Sequence, residues 1–129
     1  MFNKLKNFLW DWFNSHPQKR ITLSNGNIIE VDKKLSEIIK ILNDKGYETA
    51  FSCQGRKNQP LYIAFKKQYL EIIESYPRDI FYHVTVNSPV YSKYYSLSLI
   101  CKKDSNEFIY ENVLSWVRNL KHFELGGKR

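Results

Sequence analysis

A chain of 129 residues, 43% hydrophobic and 16% aromatic, has enough apolar material for one packed domain and too few residues for two. Two cysteines exclude a disulfide framework, and with three scattered histidines they give no zinc-ligand spacing. No apolar run approaches the ~20 residues of a membrane span and no small-residue cleavage site follows the N-terminus, so a cytoplasmic location is expected, while the formal charge of +7 points to an acidic partner.

Residues 3–14 read as an amphipathic helix, because Phe2, Leu5, Phe8, Leu9, Trp12 and Phe13 recur at three- and four-residue spacings before Pro17 stops it. A face this aromatic needs a cover. It is expected to pack on the chain's own body or to dock a partner or a second copy, the latter giving a homodimer. Residues 21–31 place Asn25-Gly26 between alternating apolar runs, which predicts a hairpin with a type I′ turn. Asp32 then reads as the cap of a helix whose Leu35, Ile38, Ile39 and Leu42 form one stripe, and Gly46 ends it.

Tyr47 to Ser52 extend, and Gly55 turns the backbone. Leu61–Phe65 is strand-like, and residues 67–76 are helical with Tyr69, Leu70, Ile73 and Tyr76 inward until Pro77. Strands follow over 80–87 and 94–101. A last helix starts near Asp104 or Ser105, with Glu107 positioned for a capping box and Ile109, Val113, Trp116, Leu120 and Phe123 as its stripe.

The order α-ββ-α-ββ-α-ββ-α, with hairpin-length connections, demands antiparallel pairing. The expected fold is therefore α+β: a mainly antiparallel sheet with four helices, as a two-layer or three-layer sandwich. One domain spans 1–129, with the aromatic helix in 1–16, the body in 17–125 and a frayed tail in 126–129.

The segment 45–57 joins a helix stop, a strand and a Gly-containing basic loop, and it is the candidate ligand site. Gly55 permits close backbone approach, Ser52 offers a hydroxyl, and Arg56 and Lys57 supply a guanidinium and an ammonium suited to phosphate. The plain alternative is an ordinary turn with a solvated basic dipeptide. Basic residues recur as adjacent pairs, Lys19-Arg20, Lys33-Lys34, Arg56-Lys57, Lys66-Lys67, Lys102-Lys103 and Lys128-Arg129. A sheet that gathers several of them on one rim would make a phosphate-tracking stripe.

In the strand around residues 81–86, Phe81, His83 and Thr85 share one face, and Tyr82, Val84 and Val86 share the other, which is expected to be core. An open opposite face would let Phe81 and His83 join Tyr62 and Tyr94 as stacking surfaces for bases.

The pattern Thr49-x-x-Ser52-Cys53-x-Gly55-Arg56 resembles the Ser-Ser-Cys-Ser-Gly-Arg segment of the wybutosine-synthesising (Tyw3-like) methyltransferases, over about a dozen residues. The resemblance implies methyl transfer to a guanosine of transfer RNA, with S-adenosylmethionine as cofactor. The same stretch is similar to a segment of small bacterial and phage proteins in which a helix ending Leu-Asn-x-x-Gly-Tyr precedes a strand and a Cys-x-Gly loop.

No complete catalytic constellation emerges. His83-Val84-Thr85 resembles one half of the two-histidine phosphoesterase signature, and neither His16 nor His122 has the matching Thr or Ser two positions on. Cys53 as nucleophile would need a base, for which His83 is a distant candidate; the strand alternation instead makes Cys53 a small buried residue. The leading reading is thus a non-catalytic protein, with no metal or cofactor, that binds nucleic acid or nucleotide through residues 52–58. A second reading is a phage-encoded, anti-CRISPR-like inhibitor whose basic surface occupies an acidic or nucleic-acid-binding host protein, such as a defence nuclease. A third is an S-adenosylmethionine-dependent RNA-modifying enzyme.

Overall fold

A computed structural model describes residues 18–55, 59–86, 96–104 and 106–123. The expected aromatic helix of 1–16 and the tail of 126–129 lie outside the described residues. Within them the fold is α+β. Strands β1 (Gln18–Thr22) and β2 (Ile28–Asp32) form a two-stranded antiparallel sheet, and β3 (Thr49–Cys53), β4 (Tyr62–Phe65), β5 (Phe81–Thr85) and β6 (Leu97–Cys101) form a second in the order β3-β4-β6-β5, all antiparallel. Three helices, α1 (Ser36–Asp44), α2 (Leu70–Ser75) and α3 (Glu107–Asn119), stand among the described residues where four were expected for the whole chain.

The β1–β2 hairpin forms where the Asn-Gly signal predicts it, with a different turn. Gly26 N–H donates to the Leu23 carbonyl at 2.9 Å and Leu23 N–H to the Asn27 carbonyl at 2.8 Å, closing a three-residue loop over Ser24, Asn25 and Gly26. Gly26, at φ +90°, takes the left-handed bulge position that such loops require. Asp44 and Lys40 of α1 fasten this loop. One Asp44 oxygen accepts the Ser24 N–H at 2.8 Å and the other the Lys40 ammonium at 2.8 Å, while Lys40 also donates to the Thr22 carbonyl.

Asp32 does not cap α1: its side chain makes no cap hydrogen bond, and the helix is entered through a 3-10 turn over Lys33–Leu35. Its carboxylate is engaged across the molecule instead. Helix α1 buries Leu35, Ile38, Ile39 and Leu42, as the stripe predicts. It ends in a Schellman arrangement, with Tyr47 N–H on the Leu42 carbonyl, Gly46 N–H on the Asn43 carbonyl and Gly46 at φ +97°. Lys45 carries its ammonium to the carbonyls of Val117, Arg118 and Leu120 at 2.9, 2.8 and 2.6 Å, tying the end of α1 to the end of α3.

Two further helix expectations are corrected. Helix α2 is shorter than residues 67–76, and its phase buries Ile72 and leaves Leu70 exposed, because Tyr69 is extended and starts the helix three residues late. Helix α3 is capped by Asn106, whose side-chain oxygen accepts the Ile109 N–H at 2.9 Å, so Glu107 is the first helical residue and not the third.

The core lies between one face of the four-stranded sheet and the helices. Ile63, Phe65, Leu97, Leu99, Phe81 and Cys101 meet Leu35, Ile38, Ile39 and Leu42 of the first helical segment, Ile72 of α2, and Ile109, Val113 and Val117 of α3. Each of these large side chains contributes roughly 1.5 to 3 kcal/mol by leaving water. The expectation for β5 is reversed. Phe81 is 1% exposed and faces the core, whereas Tyr82 and Val84 are 46% and 42% exposed. Both β5 faces carry apolar residues, so partner register decides: β6 buries Leu97, Leu99 and Cys101, and antiparallel pairing puts Phe81 opposite Cys101.

Candidate functional site

Two neighbouring features stand out: the turn after β3 and the sheet face that the described helices leave uncovered. The turn is held from three directions. Asp32 accepts the Gln54 N–H at 2.8 Å and, through its other oxygen, the Gln18 side-chain amide. The Gln54 side-chain oxygen accepts the Lys34 N–H at 3.2 Å, and its carbonyl accepts the Tyr110 hydroxyl at 2.6 Å. Lys34 places its ammonium 5.6 Å from the centre of the Tyr110 ring. Gly55 follows, buried and at φ +83°, a conformation that a side chain would strain. The Gln54 N–H is therefore taken up by Asp32 and is not offered to a ligand, although Gly55 beside it was expected to permit close backbone approach.

Arg56 and Lys57 lie outside the described residues, as does Tyr94. Ser52 is half-buried and sits opposite Ile63, on the helix side of β3. It lines a cleft of about 250 Å³ between the hairpin and β3, together with Gln18, Glu30, Asp32 and Thr49. Two carboxylates in that lining, Glu30 and Asp32, make it a poor home for an anion.

Cys53 is half-buried and not buried as expected. The cause is a register shift between Thr49 and Phe51, which breaks the alternation and places Cys53 opposite Tyr62. Burial holds the Tyr62 phenol above its ordinary pKa, and the neighbouring Cys53 and Asp32 charges add to it. His83 stands on the other outer strand and shares the Phe81 face, so it cannot serve Cys53 as a base. Its Nδ1 lies 2.9 Å from the Tyr76 hydroxyl. Phe81 is likewise excluded as a stacking surface by burial.

Of the expected stacking residues among the described ones, Tyr62 is the one on the open face, and its neighbours there were not foreseen. Register builds two rows across the sheet: Phe51–Ala64–Ser98–Val84, and Cys53–Tyr62–Ile100–Tyr82. Phe51, Pro60, Tyr62, Ala64, Ser98 and Ile100 enclose a hollow of about 330 Å³. The alternation Leu97-Ser98-Leu99 in β6 is the sequence signal that marks this side as the outer one.

Three of the basic pairs among the described residues divide between the ends of the four-stranded sheet. Lys33-Lys34 sits beside Gln54, and Lys102-Lys103 directly follows β6 at the end where β3 also finishes, since Cys101 N–H donates to the Leu61 carbonyl next to Tyr62. Lys102 reaches the Arg78 carbonyl at 2.6 Å, which brings Arg78 to the same end. Lys66-Lys67 lies at the opposite end, where Lys66 approaches Glu48 at 3.6 Å. No helix among the described residues is long and apolar enough to cross a membrane. Comparison with known proteins finds no matching family model, no similar curated protein and no similar solved structure.

Proposed function

We propose that this chain is a non-catalytic binding module for phosphate-bearing ligands, nucleic acid or nucleotide, engaged through residues 52–58 and the sheet end where β3 finishes. The observation that carries the reading is the gathering of cations there. Lys33, Lys34, Arg78, Lys102 and Lys103 outnumber the exposed Asp79, Asp104 and Glu107 of the same end, while Asp32 is buried and bonded inward. Arg56 and Lys57, which follow Gly55 directly in the chain, carry two more positive charges. Such a rim attracts polyanions and releases their counterions on binding. Guanidinium groups would pair phosphate oxygens, and the lysines would act as point charges.

The test is affinity for a labelled oligonucleotide at low salt, comparing the parent with Arg56→Ala and with the double variant Lys102→Ala, Lys103→Ala. Both are expected to bind more weakly regardless of base sequence. Equal affinity in all three proteins would contradict the assignment of this end, and recovery of the native protein with one stoichiometric protein partner and no nucleic acid would favour the inhibitor reading.

A further inference from the structure

We infer that the open face of the four-stranded sheet is a platform for unpaired bases, so that the ligand is single-stranded nucleic acid. The inference rests on the phosphate-binding reading above and names its ligand class. Sheets that pack helices on one side commonly turn a polar side to water. Here the outer side instead carries Phe51 at 52% exposure, Tyr82 at 46% and Val84 at 42%, with Tyr62 and Ile100 half-buried between them.

The relief of the face suits flat rings. Ala64 and Ser98 are the small floor of the hollow, and Phe51, Tyr62, Pro60 and Ile100 are its walls. A heterocycle can therefore lie against the floor with an aromatic side chain at its face or edge, and the Ser98 hydroxyl is at hand for a polar edge. Tyr82, two strands from Tyr62 and so about 10 Å away, offers a separate ring for another base. Among the described residues no charged side chain lines the hollow, and charge appears instead at the sheet end that the Tyr62–Ile100–Tyr82 row adjoins, where Lys102 and Lys103 follow β6. Apolar ring surface beside a cationic rim matches the two halves of a nucleotide, with bases on the face and backbone along the rim. Paired bases hide their faces in the duplex stack. A single strand exposes them.

The test uses the full chain, a short labelled oligothymidine, the same sequence in duplex form, and inorganic phosphate as competitor. Single strand is expected to bind roughly tenfold tighter than duplex, and Phe51→Ala and Tyr82→Ala each to lose roughly tenfold, the scale of one stacked base. Both side chains are about half exposed, so thermal unfolding should be little changed and a loss of binding should not reflect unfolding. Photoadducts from a thio-substituted strand should map to peptides containing Phe51, Tyr62 or Tyr82. Equal binding of duplex with both variants neutral would overturn the inference and leave the phosphate reading standing. Binding of no oligonucleotide would overturn both. Photoadducts confined to residues 1–17, with both variants neutral, would also overturn it and assign the face to that aromatic segment.

Discussion

Tyr47 shows how much one side chain can fix. It is fully buried, donates its hydroxyl to the Lys121 carbonyl at 2.8 Å, and meets Tyr69 edge-on with ring centres 5.2 Å apart. Burial, with help from Glu71 and Tyr69, pushes its pKa up to about 12. The folded value lies above the unfolded one near 10, so the stability that this phenol contributes is fully present below pH 10 and is lost as pH rises through about 12. Ultraviolet titration should therefore show buried tyrosines, Tyr47 among them, ionising well after the exposed ones, together with unfolding. A chain that keeps its structure with all tyrosines ionised would contradict this placement. The two cysteines separate in a similar way. Cys101 is buried against Phe81, and Cys101→Ser should cost about 1 to 3 kcal/mol, whereas Cys53→Ser at the half-open edge should cost under about 1 kcal/mol in denaturant unfolding.

At the scale of elements, the ends of α1 and α3 share one lock. Gly46→Ala would force a left-handed alanine, and the new methyl would stand 3.1 Å from the Phe123 Cβ; a loss of about 1 to 2 kcal/mol or more is expected, from thermal unfolding. Lys45→Met removes three hydrogen bonds to the last carbonyls of α3 and should raise amide exchange at the end of that helix before it affects β4. Uniform exchange through both would contradict the lock. Asp44 links α1 to the hairpin. Burial alone would raise its pKa, but the Lys40 ammonium and the Ser24 N–H outweigh it and hold the carboxyl below its ordinary value. Its contribution is thus present above about pH 3.8 and is lost as pH falls through the lower folded value.

These elements also show where the sequence was legible. The α1 stripe, the Gly46 stop and the hairpin were readable because each depends on residues within one or two turns. The faces of β5 and the end of β3 were not. Phe81-Tyr82-His83-Val84 alternates apolar residues on both sides, and the Thr49/Phe51 shift shows no signature such as a glycine, so long-range pairing decided both. Asp32 looked like a local cap because nothing in its neighbourhood announces that Gln54, twenty-two residues on, would claim its carboxylate.

For the molecule as a whole, the antiparallel sheet turns one side to the helices and gathers the finishing ends of β3 and β6 beside Lys33-Lys34 and Lys102-Lys103. The cationic rim was foreseeable as pairs of residues but not as a place, since Lys66-Lys67 falls at the other end of the same sheet. The candidate loop was legible in its glycine and its helix stop, whereas the open aromatic face required the strand order. Charge and face together support the proposed binding of nucleic acid, which salt dependence tests. The affinity of the full chain for a short single strand should fall steeply between low and physiological salt, with a log–log slope of about −3 if roughly four phosphates are neutralised. A slope near zero, or no binding at the lowest salt, would contradict the account.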